Sequence, residues 1–189
     1  MNKLSRKDIR GPRLYEPIRA DLRRRVVELK HPRRIAVGPH VTLVFENRAT
    51  MIFQIEEMLR AEQITDEGKI ADEIAVYNSL LPDAGQLSAT LFVEITEQKN
   101  IRPMLHRLVG IDEHVALEIE GAAVRAQFET GRADGERISS VQYVRFPVGR
   151  ARADALRAGP ARLVIDHPHY QHCAELGADT RASLAEDLS

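Results

Sequence analysis

Apolar residues recur at helical spacing in some stretches of the chain and alternate with polar residues in others. The first helical stretch contains Tyr15, Ile18, Leu22, Val26 and Leu29. This spacing predicts an amphipathic helix, which should end at His31 because the residue before a proline avoids the helical region. Two short strands are predicted next, over 34–37 and 40–45, with Gly38-Pro39 between them.

Two helices are predicted after these strands. A stripe of Met, Ile and Leu at helical spacing predicts the first helix over 48–63. An acidic stretch at 65–67 supplies a cap and a favourable first turn for the second helix, which continues to Leu81. Because the connection is short, the two helices should form an antiparallel hairpin.

Alternating patterns dominate the second half of the chain, and Glu120-Gly121 fits a tight turn between two strands. A helix over 98–109 requires Pro103 to lie in its first turn, where proline is tolerated. Thr180 is expected to cap a C-terminal helix. The other predicted elements are strands over 87–95, 115–119, 124–128, 138–146 and 163–165, a polar loop over 129–137 and a short helix near 151–158.

The order of these elements favours one α+β domain over 1–189, with a mostly antiparallel sheet, a helical hairpin and flanking helices. A doubly wound nucleotide-binding fold would need regular alternation of strands and helices, which the pattern does not show. The sequence also has no Gly-rich phosphate loop, no GxGxxG motif and no serine nucleophile elbow. These observations argue against the common nucleotide-binding and hydrolase classes, and we expect no organic cofactor.

The composition also indicates the cellular compartment of the protein. No apolar run has the roughly 18 residues that a membrane-spanning helix requires, and the N-terminal charges are not followed by the apolar stretch of a secretory signal. A single cysteine cannot form an internal disulfide. The sequence therefore predicts a cytoplasmic protein that does not associate with membranes.

Charge is distributed unevenly along the chain. Residues 1–34 contain 12 Lys/Arg and 4 Asp/Glu, whereas the rest of the chain contains 15 and 24. The basic N-terminal segment (residues 1–31) could therefore bind nucleic acid. The interpretation we favour is that this segment packs on the acidic body of its own fold, or on a second copy in a homo-oligomer.

The stretch DHPHYQHC, residues 166–173, contains three histidines and the only cysteine of the chain. Imidazole and thiolate are good ligands for zinc, iron or copper, so His167, His169 and His172, with Cys173, are candidate metal ligands. Structural zinc sites usually combine two separated pairs of ligands, and here one cluster stands alone. A histidine-rich surface turn is therefore the favoured alternative.

A second candidate site lies on the helix predicted over 48–63. At about 100° per residue, Arg48 and Glu62 both fall within about 20° of Ile55, the centre of the apolar stripe. Buried charges are costly unless they are paired. Either the helix ends emerge into solvent, or each charge has a partner or a ligand.

Four blocks of the sequence resemble a bacterial family known as domain of unknown function 3501. They are GPHVTLVFENRATMIFQIEEMLRAE at 38–62, EIAVYNSLLPDAGQLSATLFVEI at 73–95, HVALEI at 114–119 and VIDHPHY at 164–170. The resemblance implies no assigned activity. It does imply a redox or peroxide-stress setting, because members tend to be encoded beside rubrerythrin-like and iron–sulfur oxidoreductase-like proteins.

The resemblance also ranks the candidate sites. His167, Pro168 and Tyr170 match a His-Pro-x-Tyr motif of the family, whereas His169, His172 and Cys173 match no motif of it. The first block is the most family-like part of the chain. We therefore predict a functional surface that is composed of Glu46, Asn47, Arg48, Gln54, Glu57, Arg60 and Glu62.

Three functions remain open at this stage. The leading hypothesis is a non-catalytic accessory protein that binds an oxidoreductase partner, because the sequence shows no recognisable catalytic constellation. The second is a small metal-binding protein or metalloenzyme that uses His167 together with His40 or nearby carboxylates. The third, ranked last, is nucleic-acid binding through the basic N-terminal helix.

Overall fold

A computed structural model of the protein describes residues 3–129 and 137–188. Most of the polar loop predicted over 129–137 therefore lies outside the described residues. Within them, the strands form two antiparallel sheets, one with the order β1-β2-β3-β7-β6 and the other with the order β5-β4-β8-β9. The strands are β1 (Arg34–Val37), β2 (Val41–Glu46), β3 (Leu87–Val93), β4 (Val115–Ile119), β5 (Ala122–Arg125), β6 (Gln127–Phe128), β7 (Val141–Phe146), β8 (Ala161–His167) and β9 (Tyr170–Glu175).

Three of the helices begin where the sequence supplies a proline or a capping side chain, and the first of them starts at Pro12. Asn47 caps the third helix by accepting hydrogen bonds from the backbone N–H groups of Ala49 and Thr50, at 3.0 and 3.1 Å. Asp66 caps the fourth by accepting from the Lys69 N–H at 3.0 Å. The helices are α1 (Pro12–Tyr15), α2 (Arg19–Lys30), α3 (Arg48–Ala61), α4 (Glu67–Leu80), α5 (Gln98–Arg107), α6 (Ala153–Ala158) and α7 (Ala178–Asp187).

Two apolar clusters stabilise this arrangement. The larger one contains alternate residues of both sheets, such as Leu91 and Leu163, together with residues of α5, α6 and α7. The smaller one packs the α3–α4 hairpin against the start of the chain, with Ile55 at 0% exposure. The α+β class is therefore confirmed, and the N-terminal segment belongs to the packed structure.

Several local predictions differ from the structure. The strand predicted over 124–128 is divided between β5 and β6, which belong to different sheets. His31 keeps helical backbone angles although Pro32 follows it, and a short 3-10 helix over His31–Arg33 continues from α2. Pro103 lies inside α5 rather than in its first turn. The N-cap of α7 is Gly177, and the Thr180 hydroxyl instead donates to the Pro32 carbonyl at 2.6 Å. Residues 170–175 form an additional strand, β9, which pairs with β8. Polar residues such as Gln171 and Cys173 are exposed in this edge strand, so the apolar alternation that reveals a strand is weak there.

Candidate functional site

The α3 helix carries most of the predicted functional surface, and the N-terminal segment packs against it. Glu57 is the centre of this contact. Its carboxylate accepts hydrogen bonds from Nε and Nη2 of Arg19 at 2.7 and 2.8 Å, and from the Tyr15 hydroxyl at 2.6 Å. A bidentate guanidinium–carboxylate pair of this kind is stronger and more directional than a single ion pair.

These contacts shift the pKa values of Glu57 and Tyr15 in opposite directions. The hydrogen bonds from Arg19, followed by that from Tyr15, lower the pKa of Glu57 to about 2. Tyr15 is fully buried, and burial followed by its hydrogen bond to Glu57 raises its phenol pKa far above the ordinary range. Glu57 is therefore charged and Tyr15 is neutral throughout the physiological range.

Glu56, the neighbour of Glu57, makes a further contact with the N-terminal segment, and this contact was not predicted from the sequence. Its side chain is 0% exposed and accepts from the backbone N–H groups of Arg10 at 2.5 Å and Gly11 at 3.1 Å. The signal that could have revealed it is its position between Ile52, four residues earlier, and Leu59, three residues later. A carboxylate at the edge of an apolar stripe needs an internal partner.

Two more residues of the predicted surface form ion pairs with the N-terminal segment. Arg48 pairs with Asp8, whose pKa falls to about 2, first because it accepts from the Ser5 N–H and then because of the Arg48 guanidinium. Arg60 donates to Glu16 through Nε at 2.6 Å, and this contact lowers the Glu16 pKa. Arg48, Glu57 and Arg60 therefore hold the N-terminal segment in place.

The remaining residues of the predicted surface lie in different surroundings. Asn47 caps α3, and Glu62 is exposed at the other end of this helix. Glu46 is buried at the end of β2, where Oε1 accepts from Lys30 Nζ at 3.1 Å. Within the described part of the chain, its Oε2 atom and Gln54 Nε2 are buried without a hydrogen-bond partner. We call the contacts of Arg48, Glu57 and Arg60 with the N-terminal segment the clasp. Five of the seven predicted residues thus belong to this clasp, to a helix cap or to an exposed helix end, whereas Glu46 and Gln54 each have a buried polar atom without a partner among the described residues.

The charge asymmetry of the sequence has a matching structural pattern. Basic residues near the N-terminus pair with carboxylates of the body, as the favoured interpretation expects. These pairs are Lys3–Asp83, Arg6–Glu67, Arg19–Glu57, Lys30–Glu46, Arg33–Asp187 and Arg34–Glu94. A second set of basic residues has no such partner among residues 3–129 and 137–188: Lys7, Arg10, Arg13, Arg23, Arg24 and Arg25.

The His-Pro-x-Tyr motif connects separate elements of the fold. His167 is buried, and its Nδ1 accepts from the His169 backbone N–H at 3.2 Å. Its Nε2 must then carry the proton, which it donates to the Val109 carbonyl at 3.0 Å. The Tyr170 hydroxyl accepts from the N–H groups of His40 and Val41 and donates to the Val37 carbonyl at 2.7 Å.

The other candidate metal ligands point in different directions. The His172 ring lies against Gly38 and Tyr170, whereas Cys173, the next residue of β9, projects to the opposite face and is exposed. His169 is exposed in the turn between β8 and β9. Across the described ranges, no group of three His, Cys, Asp or Glu side chains is close enough to hold a metal ion. Both ring nitrogens of His167 already have hydrogen-bond partners.

Two further observations concern surface pockets and membrane-spanning helices. Pockets of about 370 and 310 Å³ are present, and neither is lined by Arg48 or Glu62. In the part of the chain that the structure describes, no helix is long and apolar enough to cross a membrane.

Two antiparallel sheets, a helical hairpin and a basic segment clasped to that hairpin define this α+β protein. The chain belongs to the family described as "Protein of unknown function (DUF3501)", whose model matches residues 3–188, so the resemblance noted in the sequence is confirmed. It is also similar to a solved structure titled as a novel protein of unknown function from Burkholderia pseudomallei K96243. The two share 36% identity over 100% of each chain, with a TM-score of 0.92. No curated protein matches the chain.

Proposed function

We propose that the protein is a non-catalytic accessory protein that binds an acidic surface of a partner protein through its basic face. We define the basic face as the exposed side chains of the N-terminal segment that have no carboxylate partner on the body, together with two exposed apolar residues. It consists of Lys7, Arg10, Arg13, Leu14, Arg23, Arg24, Arg25 and Val27. The observation that carries the proposal is the combination, on one segment, of exposed apolar side chains and cations that have no carboxylate partner on the body, although Arg24 pairs with Asp21 of the same segment.

The helical geometry of α2 separates an inner from an outer side. Val26 is buried on the inner side, and Leu22 is partly buried four residues before it. Arg23 and Val27, also four residues apart, are neighbours on the exposed side of the helix. Val27 is 62% exposed and Leu14 is 66% exposed, which makes them the most exposed large hydrophobic residues described.

This combination fits a protein partner better than a nucleic acid. Cations on a rim speed association with an acidic surface and select the partner, whereas apolar side chains contribute more of the affinity. Phosphate backbones would be bound by the cations alone, which leaves Leu14 and Val27 without a role. The partner is therefore expected to present Asp and Glu side chains around a small apolar patch.

The family resemblance supplies the class of partner to test. A rubrerythrin-like or iron–sulfur oxidoreductase-like protein encoded beside the gene is the expected partner. In this proposal, the predicted functional surface on α3 supports the contact because it fixes the basic face in position. The clasp residues Arg48 and Glu57 would then affect binding indirectly.

A binding experiment with purified neighbours tests the proposal. Each neighbouring oxidoreductase is titrated into the immobilised protein, into an Arg23→Glu, Val27→Asp variant and into a control. The control, Arg157→Glu, makes the same charge reversal at an exposed site on α6. Saturable binding of one neighbour should be lost in the double variant and kept in the control.

Two outcomes would overturn the proposal. In one, no neighbour binds the wild-type protein, or binding is unaffected by the double substitution. In the other, duplex DNA is retained with a steep salt dependence that Arg23→Glu reduces, while no neighbour binds. The second outcome would establish the nucleic-acid function instead.

A further inference from the structure

A groove of about 310 Å³ separates one face of α5 from the turn between β1 and β2. Its volume falls at the lower end of the range for small-molecule sites, about 300–1,000 Å³. The apolar part of the wall consists of Ile95, Pro103 and Met104, and the polar part includes His40, Asn100 and Arg107. None of these residues belongs to the clasp or to the basic face.

The face that α5 presents to the groove follows from helical spacing. Residues 100, 103, 104 and 107 are separated by three or four positions and share one side of the helix. Asn100 and Arg107 are two turns apart, about 10 Å along the axis, with Pro103 and Met104 between them. The groove therefore has an apolar middle and a polar group at each end of the helix face.

Pro103 is unusual in this position. A proline inside a helix removes one backbone hydrogen bond and destabilises the helix. Here it forms part of the groove wall, where its rigid ring adds apolar surface without rotamer freedom.

Among the described residues, the charged side chain at the groove that has no ion-pair partner is a cation, Arg107. Glu97 also lines it, but its carboxylate already accepts from Asn100 Nδ2 at 2.9 Å and lies 3.3 Å from Lys99 Nζ. Within residues 3–129 and 137–188, the Arg107 guanidinium has no carboxylate partner, and the His40 ring has no hydrogen bond. The His40 backbone is held by the Tyr170 hydroxyl at 2.9 Å, so its imidazole is positioned at the groove.

We infer that this groove binds a small organic carboxylate with an apolar body. Arg107 is the anchor for the carboxylate, because a guanidinium pairs with it through two parallel hydrogen bonds. His40 supplies a further polar contact, and the apolar body lies over Pro103 and Met104. The inference does not depend on the partner that the basic face binds.

Titration with hexanoate and hexanamide tests this site, since the two probes have similar shapes and differ in charge. Backbone amide shifts of isotopically labelled protein are followed at constant ionic strength. The variants are Arg107→Gln and a matched control, Arg102→Gln, which removes the same charge from an exposed position of α5 that does not line the groove. Both positions are exposed, so both variants should fold.

Hexanoate should produce saturable shifts at His40 and Met104. Its affinity should fall about tenfold in Arg107→Gln and stay unchanged in Arg102→Gln, and hexanamide should bind about tenfold more weakly than hexanoate. The inference is overturned by the absence of saturable shifts at these residues, by equal affinity in Arg107→Gln, or by equal affinity for the two probes.

Discussion

Replacing Glu57 with glutamine should destabilise the protein because it breaks the clasp between α3 and the N-terminal segment. The interval between the ordinary carboxyl pKa of 4.5 and the value of about 2 in the fold corresponds to about 3 kcal/mol. The side chains of Arg19 and Glu57 are each 29% exposed, so solvent screening reduces this figure. We expect Glu57→Gln to lower the free energy of unfolding by about 1–2 kcal/mol at pH 7.

The pH dependence of this effect has a definite sign. A carboxyl group whose pKa is lowered by folding stabilises the protein at pH values above its unfolded pKa. That contribution is lost as the pH falls through the folded pKa. The difference between wild type and Glu57→Gln should therefore be full above about pH 5 and should shrink as the pH approaches about 2.

Urea denaturation followed by far-ultraviolet circular dichroism measures this difference. Glu62→Gln is the matched control, because Glu62 lies at the exposed end of the same helix and no ion pair to it is present among the described residues. The control should change the free energy of unfolding by less than about 0.5 kcal/mol. Equal effects of the two substitutions, or a difference that stays constant between pH 7 and 3, would refute the assignment of Glu57 to the clasp.

The remaining predictions concern the His-Pro-x-Tyr motif and the turn it holds. Tyr170→Phe should lower the free energy of unfolding by about 2–3 kcal/mol in urea titrations, because three backbone groups, two of them buried, lose their hydroxyl partner; Tyr77→Phe, which packs against the smaller apolar cluster, should cost much less. Gly38→Ala should lower the melting temperature more than Gly121→Ala. Both glycines have positive φ, but an added Cβ at Gly38 would lie 2.5 Å from the His172 ring, and at Gly121 it would meet no described atom within 4 Å. Equimolar Zn²⁺ should leave the melting temperature unchanged, because both ring nitrogens of His167 are occupied; a clear rise that His167→Ala abolishes would establish the metal hypothesis instead.

Local patterns were sufficient for most of the elements. The bounds predicted for β1 agree with the structure, and those of α3 agree within two residues, because both elements are delimited by nearby residues: Gly38, with positive φ, follows the strand, and Asn47 caps the helix. The tight turn at Glu120-Gly121 is also present, with positive φ at both residues as a two-residue hairpin turn requires. Such features depend on interactions within a few residues of the chain.

The pairing of the charges could not be predicted in the same way. Helical spacing placed Arg48 near the apolar centre of α3 and correctly required a partner or an exposed end, but its partner, Asp8, is 40 positions away. Arg19 and Glu57 are separated by a similar distance in sequence. Such pairs depend on how the helices pack in three dimensions, which a single sequence does not specify. The residues marked by the family-like block contribute mainly to such internal contacts, and this role could not be predicted from the sequence for the same reason.

The clasp also bears on how the proposed contact would work. A basic segment that became ordered only when it met its partner would lose conformational entropy in that step, and the affinity would fall accordingly. Here Glu56 and Glu57 hold the segment in the free protein, so the side chains of the basic face are already positioned. Glu57→Gln should therefore weaken binding of an acidic partner although Glu57 does not touch it, whereas Arg23→Glu should weaken binding without changing the free energy of unfolding. A variant series that shows this separation would distinguish a residue that supports the contact surface from one that forms it.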